Sequence, residues 1–214
     1  MTIVGSSNEW QDVIGPFVSD ILTLVIATWE GMLSPSSDEF EDKITIALCR
    51  ALRMNHAARI LPFQIHYQQV EIEPQVEGDL GVMDIVFNLS GESEGAYFCL
   101  EGKRLNVIRD GVRHPYTAEY VKFGMLRFVT GRYAKAVRHG GMVGYVLDGN
   151  ISQAMTNVEG NIRRQATALR MAAPEAFLPS TALPGDARAR ETRHNRAHEA
   201  VPFSIHHLFM AAKG

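Results

Sequence analysis

Asp84 and the tripeptide Glu101-Gly102-Lys103 are the residues of this chain whose types and spacing best suit chemistry. Side chains on a strand alternate between faces, so Glu101 and Lys103 project together. A hairpin between residues 80–89 and 97–103 would bring Asp84 to the same patch, where two carboxylates and one ammonium converge. Carboxylate oxygens are the hard ligands that Mg²⁺ prefers, and one or two of them, with substrate oxygens and water, commonly hold it. A cation there would acidify a water and polarise a phosphate. The lysine would hold or activate that water, or balance charge as phosphorus becomes pentacoordinate. Asp84 sits within the apolar run Met83-Asp84-Ile85-Val86-Phe87, and Glu101 closes the run Tyr97-Phe98-Cys99-Leu100-Glu101. A charge so placed costs free energy unless it is paired or bound to metal.

The elements that must position these groups can be read from periodicity. Trp10, Val13, Phe17, Ile21, Leu24 and Thr28 recur at helical spacing and predict a helix over 10–33, with Pro16 forcing a kink or a late start. A turn at Ser34-Pro35-Ser36-Ser37 leads into a helix over 38–55, for which Ser36 and Glu39 have capping-box spacing. Alternation predicts strands over 63–73, 80–89 and 97–103. A loop over 106–115 and a helix over 116–137 follow. Arg138 and His139 suit that helix's C-terminus, and Gly140-Gly141 its stop. Residues 142–147 read as a strand, 151–169 as a helix and 203–211 as a last strand. Between them, residues 173–202 carry Pro174, Pro179, Pro184 and Pro202 and read as a long loop. The order predicts an α/β fold, a central mixed β-sheet with helices on both faces. As one domain it divides into an N-terminal helical extension (1–37), a core (38–172), the Pro/Arg-rich loop (173–202) and a terminal strand (203–214).

Asp84 with Glu101-x-Lys103 resembles the metal motif of the PD-(D/E)XK nuclease superfamily, the restriction-endonuclease-like fold, with Met83 where the motif has proline. Tyr120-Val121-x-x-Gly124-Met125-x-Arg127-Phe128-x-x-Gly131-x-Tyr133 and Gly141-Met142-x-Gly144-Tyr145-Val146 are similar to uncharacterised bacterial proteins of this type. The resemblance implies a nuclease that uses Mg²⁺ or Mn²⁺ to hydrolyse phosphodiester bonds in DNA, leaving 5′-phosphate and 3′-hydroxyl ends. Asp84 and Glu101 would bind metal, Lys103 would serve the water, and Glu41, from the preceding helix, would hold a second metal or its water. Phage defence or DNA processing is the implied role, with a protein partner supplying recognition or regulation; a homo-oligomer is also possible. The alternative is an inactive nuclease-like subunit that binds nucleic acid or a partner protein.

Further candidates are less specific. Glu73, Glu77 or Asp79 could add a metal ligand. Arg127 and Arg132, on the 116–137 helix, could touch phosphate or hold the active-site carboxylates. Arg188, Arg190, Arg193 and Arg196 crowd one stretch of the long loop and could bind nucleic-acid backbone. His194 and His198 are four apart, as metal ligands on a helix would be, but no glutamate lies between them and no cysteine partners them; His206 and His207 would face opposite sides of a strand. There is no GxxxxGK[ST], GxGxxG or GxSxG, which argues against an NTPase, a dinucleotide enzyme and an α/β-hydrolase.

The 214 residues are 46% apolar and 21% charged, which excludes a disordered chain and a coiled coil. The formal charge of −3 hides an asymmetry: residues 1–107 hold 6 Lys/Arg and 16 Asp/Glu, and residues 108–214 hold 15 and 8. Such a pattern would fit a cation site beside an anion-binding surface. Cys49 and Cys99 are too few for a disulfide framework and suit a reducing compartment. The most apolar run, 21–29, is too short to span a bilayer, and early acids with no early base argue against a secretory signal. A cytoplasmic location is expected.

Overall fold

The computed structural model describes residues 13–71, 81–91, 96–197 and 199–213. Glu73, Glu77, Asp79 and His198 lie outside them. A seven-stranded mixed sheet has the order β1-β2-β3-β6-β9-β8-β7. Its strands are β1 (Phe63–Val70), β2 (Val82–Leu89), β3 (Tyr97–Leu105), β6 (His139–Val146), β7 (Leu178–Pro179), β8 (Ala189–His194) and β9 (Phe203–Ala211). A hairpin of β4 (Val107–Arg109) and β5 (Val112–His114) stands apart, within the stretch expected to be loop. The central pairs β3–β6 and β6–β9 are parallel, and β1–β2, β2–β3, β8–β9 and β7–β8 are antiparallel.

Helices cover both faces of the sheet. On one, α1 (Val18–Gly31) stacks Trp29 on Tyr145 of β6 at 5.5 Å, and α2 (Glu41–Met54) joins Thr45 to the Tyr145 hydroxyl at 3.1 Å. On the other lie the segment α3 (Thr117–Tyr120), a π-helical turn (Val121–Met125) and α4 (Leu126–Val129), where Tyr120 stacks on His207 and Phe209 of β9. Helix α5 (Ile151–Arg164) backs α3, with Asn161 donating to Thr117 at 2.5 Å. Pro16 lies in a 3₁₀ turn (Gly15–Phe17) that leads into α1, so this helix starts late, where proline's missing N–H does no harm. Among the described residues no helix is long and apolar enough to cross a membrane.

Three expectations need correction. The capping box does not form: Ser36 bonds Asp38, and the N-cap of α2 is Phe40, with no side-chain cap. The helix expected to reach residue 137 ends at Val129, because Gly131 takes φ +72°, a left-handed conformation that terminates helices. His139 therefore begins a strand instead of capping a helix, and its ring lies on that of His206. Finally, the Pro/Arg-rich stretch is not all loop, since it supplies β7 and β8.

Candidate active site

The site arises where β2 and β3 part. Their ladder runs from Asn88–Tyr97 to Ile85–Leu100, and one step further stand Asp84 and Glu101. Beyond that step carboxylates from other elements meet the backbone N–H groups of β3: Gly102 N donates to Asp84 Oδ2 at 2.8 Å and Arg104 N to Glu41 Oε2 at 3.0 Å. The acids thus take over part of the hydrogen bonding that a continued strand would have supplied.

Lys103 lies among these acids, only 7% exposed. Its ammonium donates to Glu41 Oε1 at 2.8 Å and to the Gly102 carbonyl at 2.8 Å, and it pairs with Glu101 Oε1 at 2.9 Å. Three acceptors match its three N–H bonds. Burial works against the ammonium, but Glu101, Glu41 and Asp84 outweigh it and raise its pKa, so Lys103 stays charged.

Glu101 is 1% exposed. Its Oε1 also accepts from Arg127 at 2.7 Å, while Oε2 is buried with no hydrogen-bond partner. Burial and the nearby Asp84 push its pKa from 4.5 to about 7, against the pull of Lys103 and Arg127. Burial likewise raises Asp84, with Lys103 and the Gly102 N–H opposing it. Arg127 is aimed by Tyr133, which accepts from the guanidinium at 2.7 Å and donates to the Val82 carbonyl at 2.6 Å. Sequence reading passed over Tyr133 as a positioning residue, because it is the left-handed turn at Gly131, past the helix end at Val129, that returns it to Arg127.

Of the sequence candidates, Asp84, Glu101, Lys103, Glu41 and Arg127 come together. Among the described residues no group of three or more His, Cys, Asp and Glu side chains forms a ready metal cage. Each Glu41 oxygen accepts one hydrogen bond, whereas Glu101 keeps one oxygen with none, which sets Asp84 and Glu101 forward as the carboxylate pair. A buried, orphaned carboxylate oxygen beside a second carboxylate fits a hard divalent cation that needs only one or two such ligands.

The remaining arginines lie elsewhere. Arg132 falls past the end of α4 and is half-buried. Arg188 pairs with Glu30 and Asp186, Arg193 pairs with Glu191, and Arg190 donates to its neighbour's carbonyl. Arg196 is 3% exposed, donates to the carbonyls of Tyr133 and Ala134, and lies 3.4 Å from the Phe203 ring centroid. A buried guanidinium of this kind ties loops together and cannot touch a nucleic-acid backbone. His194 is buried as well, on strand β8 and not a helix, with Nδ1 on the Leu169 carbonyl at 2.7 Å.

Gly102 sets how closely the site strand packs. A Cβ there would lie 2.6 Å from the Tyr145 hydroxyl and 2.8 Å from its ring, which Trp29 and Thr45 hold in place. Gly102→Ala is expected to cost about 1–3 kcal/mol and to displace Glu101 and Lys103 together. Thermal unfolding and activity should therefore fall in parallel; an unchanged Tm would show that Tyr145 yields freely. No family model, curated protein or solved structure matches the chain.

Proposed function

We propose that this protein is a Mg²⁺- or Mn²⁺-dependent nuclease that hydrolyses phosphodiester bonds in DNA, in phage defence or DNA processing. The observation that carries the reading is the orphaned Oε2 of Glu101 beside Asp84. Asp84 and Glu101 would hold the cation, which when bound supplies charge neutralisation at the scissile phosphate and acidifies the attacking water. Lys103 remains an ammonium, so it orients the water and stabilises the developing negative charge rather than taking a proton. Glu41 fixes the Lys103 Nζ position from the opposite side, and Arg127 holds the Glu101 carboxylate through Oε1.

A second reading, a non-catalytic subunit that binds nucleic acid or a protein, is favoured by one feature: Lys103 and Arg127 already neutralise Glu101 without a cation. Incubating plasmid and linear DNA with the protein separates the two. Cleavage in Mg²⁺ or Mn²⁺, lost in chelator and in Asp84→Ala and Lys103→Ala, is expected. Binding without cleavage under every divalent ion would leave the second reading.

A further inference from the structure

We infer that the cleft beside the site grips unpaired nucleotides by stacking on Phe40 and Phe123, so the preferred substrate is single-stranded DNA or the single-stranded part of a branched duplex. The inference rests on the nuclease reading for its chemistry, but its binding argument is independent.

Two cavities carry the rings, an inner one lined in part by Lys103 and an outer one. The inner one, ≈ 280 Å³, has Phe123 and Tyr116 in its wall, and the outer one, ≈ 680 Å³, has Phe40. Phe123 is 48% and Phe40 60% exposed. Arg104, in the inner wall, has its guanidinium 5.7 Å from the ring centroids of both Tyr116, in the same wall, and Phe40 of the outer one. Lys122 lies 5.3 Å from the Phe123 centroid. Aromatic faces backed by cations are what successive bases stack on in single-strand grooves.

Each ring is held where local structure sacrifices stability. Phe40 takes the N-cap of α2, a position that serine or aspartate fills better. Tyr116 sits at φ +49°, which a side chain of its size rarely adopts. Phe123 lies in the π-helical turn, a distortion frequent at functional sites. Burial recovers little of this for the two phenylalanines, since both remain exposed.

Charge separates single from double strands. The inner wall sets Lys103, Arg104 and Arg127 against Glu41 and Glu119, and the outer wall sets Arg109 against Asp38 and Asp110. The lining is therefore balanced, and Lys103 and Arg127 are already paired with acids. Duplex DNA hides its base faces and is held chiefly through phosphate neutralisation, which a balanced wall supplies poorly. An unpaired strand offers base faces, and each stacking contact is worth about 1–3 kcal/mol.

The test is fluorescence anisotropy in chelator with a labelled single-stranded oligonucleotide and the same strand annealed to its complement. The single strand should bind more tightly, with a shallow salt dependence. Phe40→Ala and Phe123→Ala should each weaken it about 5- to 150-fold, while tryptophan at either position preserves it. Both side chains are exposed, so Tm should not move. Alanine variants that bind like wild type, equal affinity for duplex, or no DNA binding would each overturn the inference. Selective single-strand binding with no cleavage in Mg²⁺ or Mn²⁺ would support it while removing the nuclease reading.

Discussion

Lys103→Met is expected to abolish measurable cleavage and to destabilise the fold. The substitution keeps the stem and removes the one charge shared by Glu41 and Glu101. Glu101, 1% exposed, is left with Arg127 alone while Asp84 still repels it. Removing one partner of a buried pair costs roughly 3–5 kcal/mol, a fall in Tm of roughly 6–20 °C for a chain of this size. Loss of the electrostatic stabiliser should lower turnover by about 10²–10³-fold. The two effects can be separated by adding Glu101→Gln to Lys103→Met. The double variant no longer buries a Glu101 carboxylate without the ammonium and should regain most of the stability and none of the activity. The stability loss should also shrink on acidification, because the Glu101 pKa, already about 7, rises further without the ammonium and the carboxyl becomes neutral. Thermal melts in chelator at pH 8 and pH 5.5 check this, and a single variant that melts like wild type at both would show that the buried pair adds nothing.

The second large effect is acid lability from buried histidines. The Leu169 carbonyl can only accept, so His194 carries its proton on Nδ1. His194 Nε2 then accepts from the Thr192 hydroxyl at 2.8 Å, Thr192 accepts from His207 Nε2 at 2.8 Å, and His207 Nδ1 accepts from Tyr120 at 2.9 Å. One proton order satisfies the whole chain, and it requires both rings to be neutral. Burial, with the charge of Arg196, holds His194 down at about 4, although the Leu169 carbonyl pulls the other way. Burial also depresses His206 and His207.

A histidine whose folded pKa lies below its unfolded value of about 6.5 contributes stability above pH 6.5 that disappears as the pH falls toward 4. For His194 alone the loss is on the order of 3 kcal/mol. Glu101 has the opposite sign: its raised pKa makes folding more favourable as the pH falls from about 7 to 4.5. The wild-type profile should therefore be shallow at first and then steep. In Glu101→Gln the opposing contribution is gone, and stability should decline from pH 6.5 onward. Urea unfolding across pH 7.5–4 measures both, and coincident profiles would refute the assignment.

Much of the architecture follows from short-range pattern. Strict alternation puts Glu101 and Lys103 on one face, and the short connection between β2 and β3 makes their antiparallel pairing the simplest one. Helices α1, α2 and α5 announce themselves by apolar spacing because each buries one stripe on the sheet or on a neighbour packed against it. Strand β8 does not. Ala-Arg-Glu-Thr-Arg-His has no apolar alternation, and the segment becomes a strand because β9 completes its ladder and its buried polar groups bond one another.

What the sequence by itself determined is therefore the local part: helices, most strands, and the cluster of Asp84, Glu101 and Lys103 as a set worth placing. Only tertiary structure decided that Glu41 and Arg127 close around that set, that Arg196 and His194 are interior, and that Phe40 and Phe123 stay exposed beside it. Those outcomes depend on where chain segments tens of residues apart come to rest. Alternation and helical spacing report which face a side chain takes on its own element, but not what lies opposite that face.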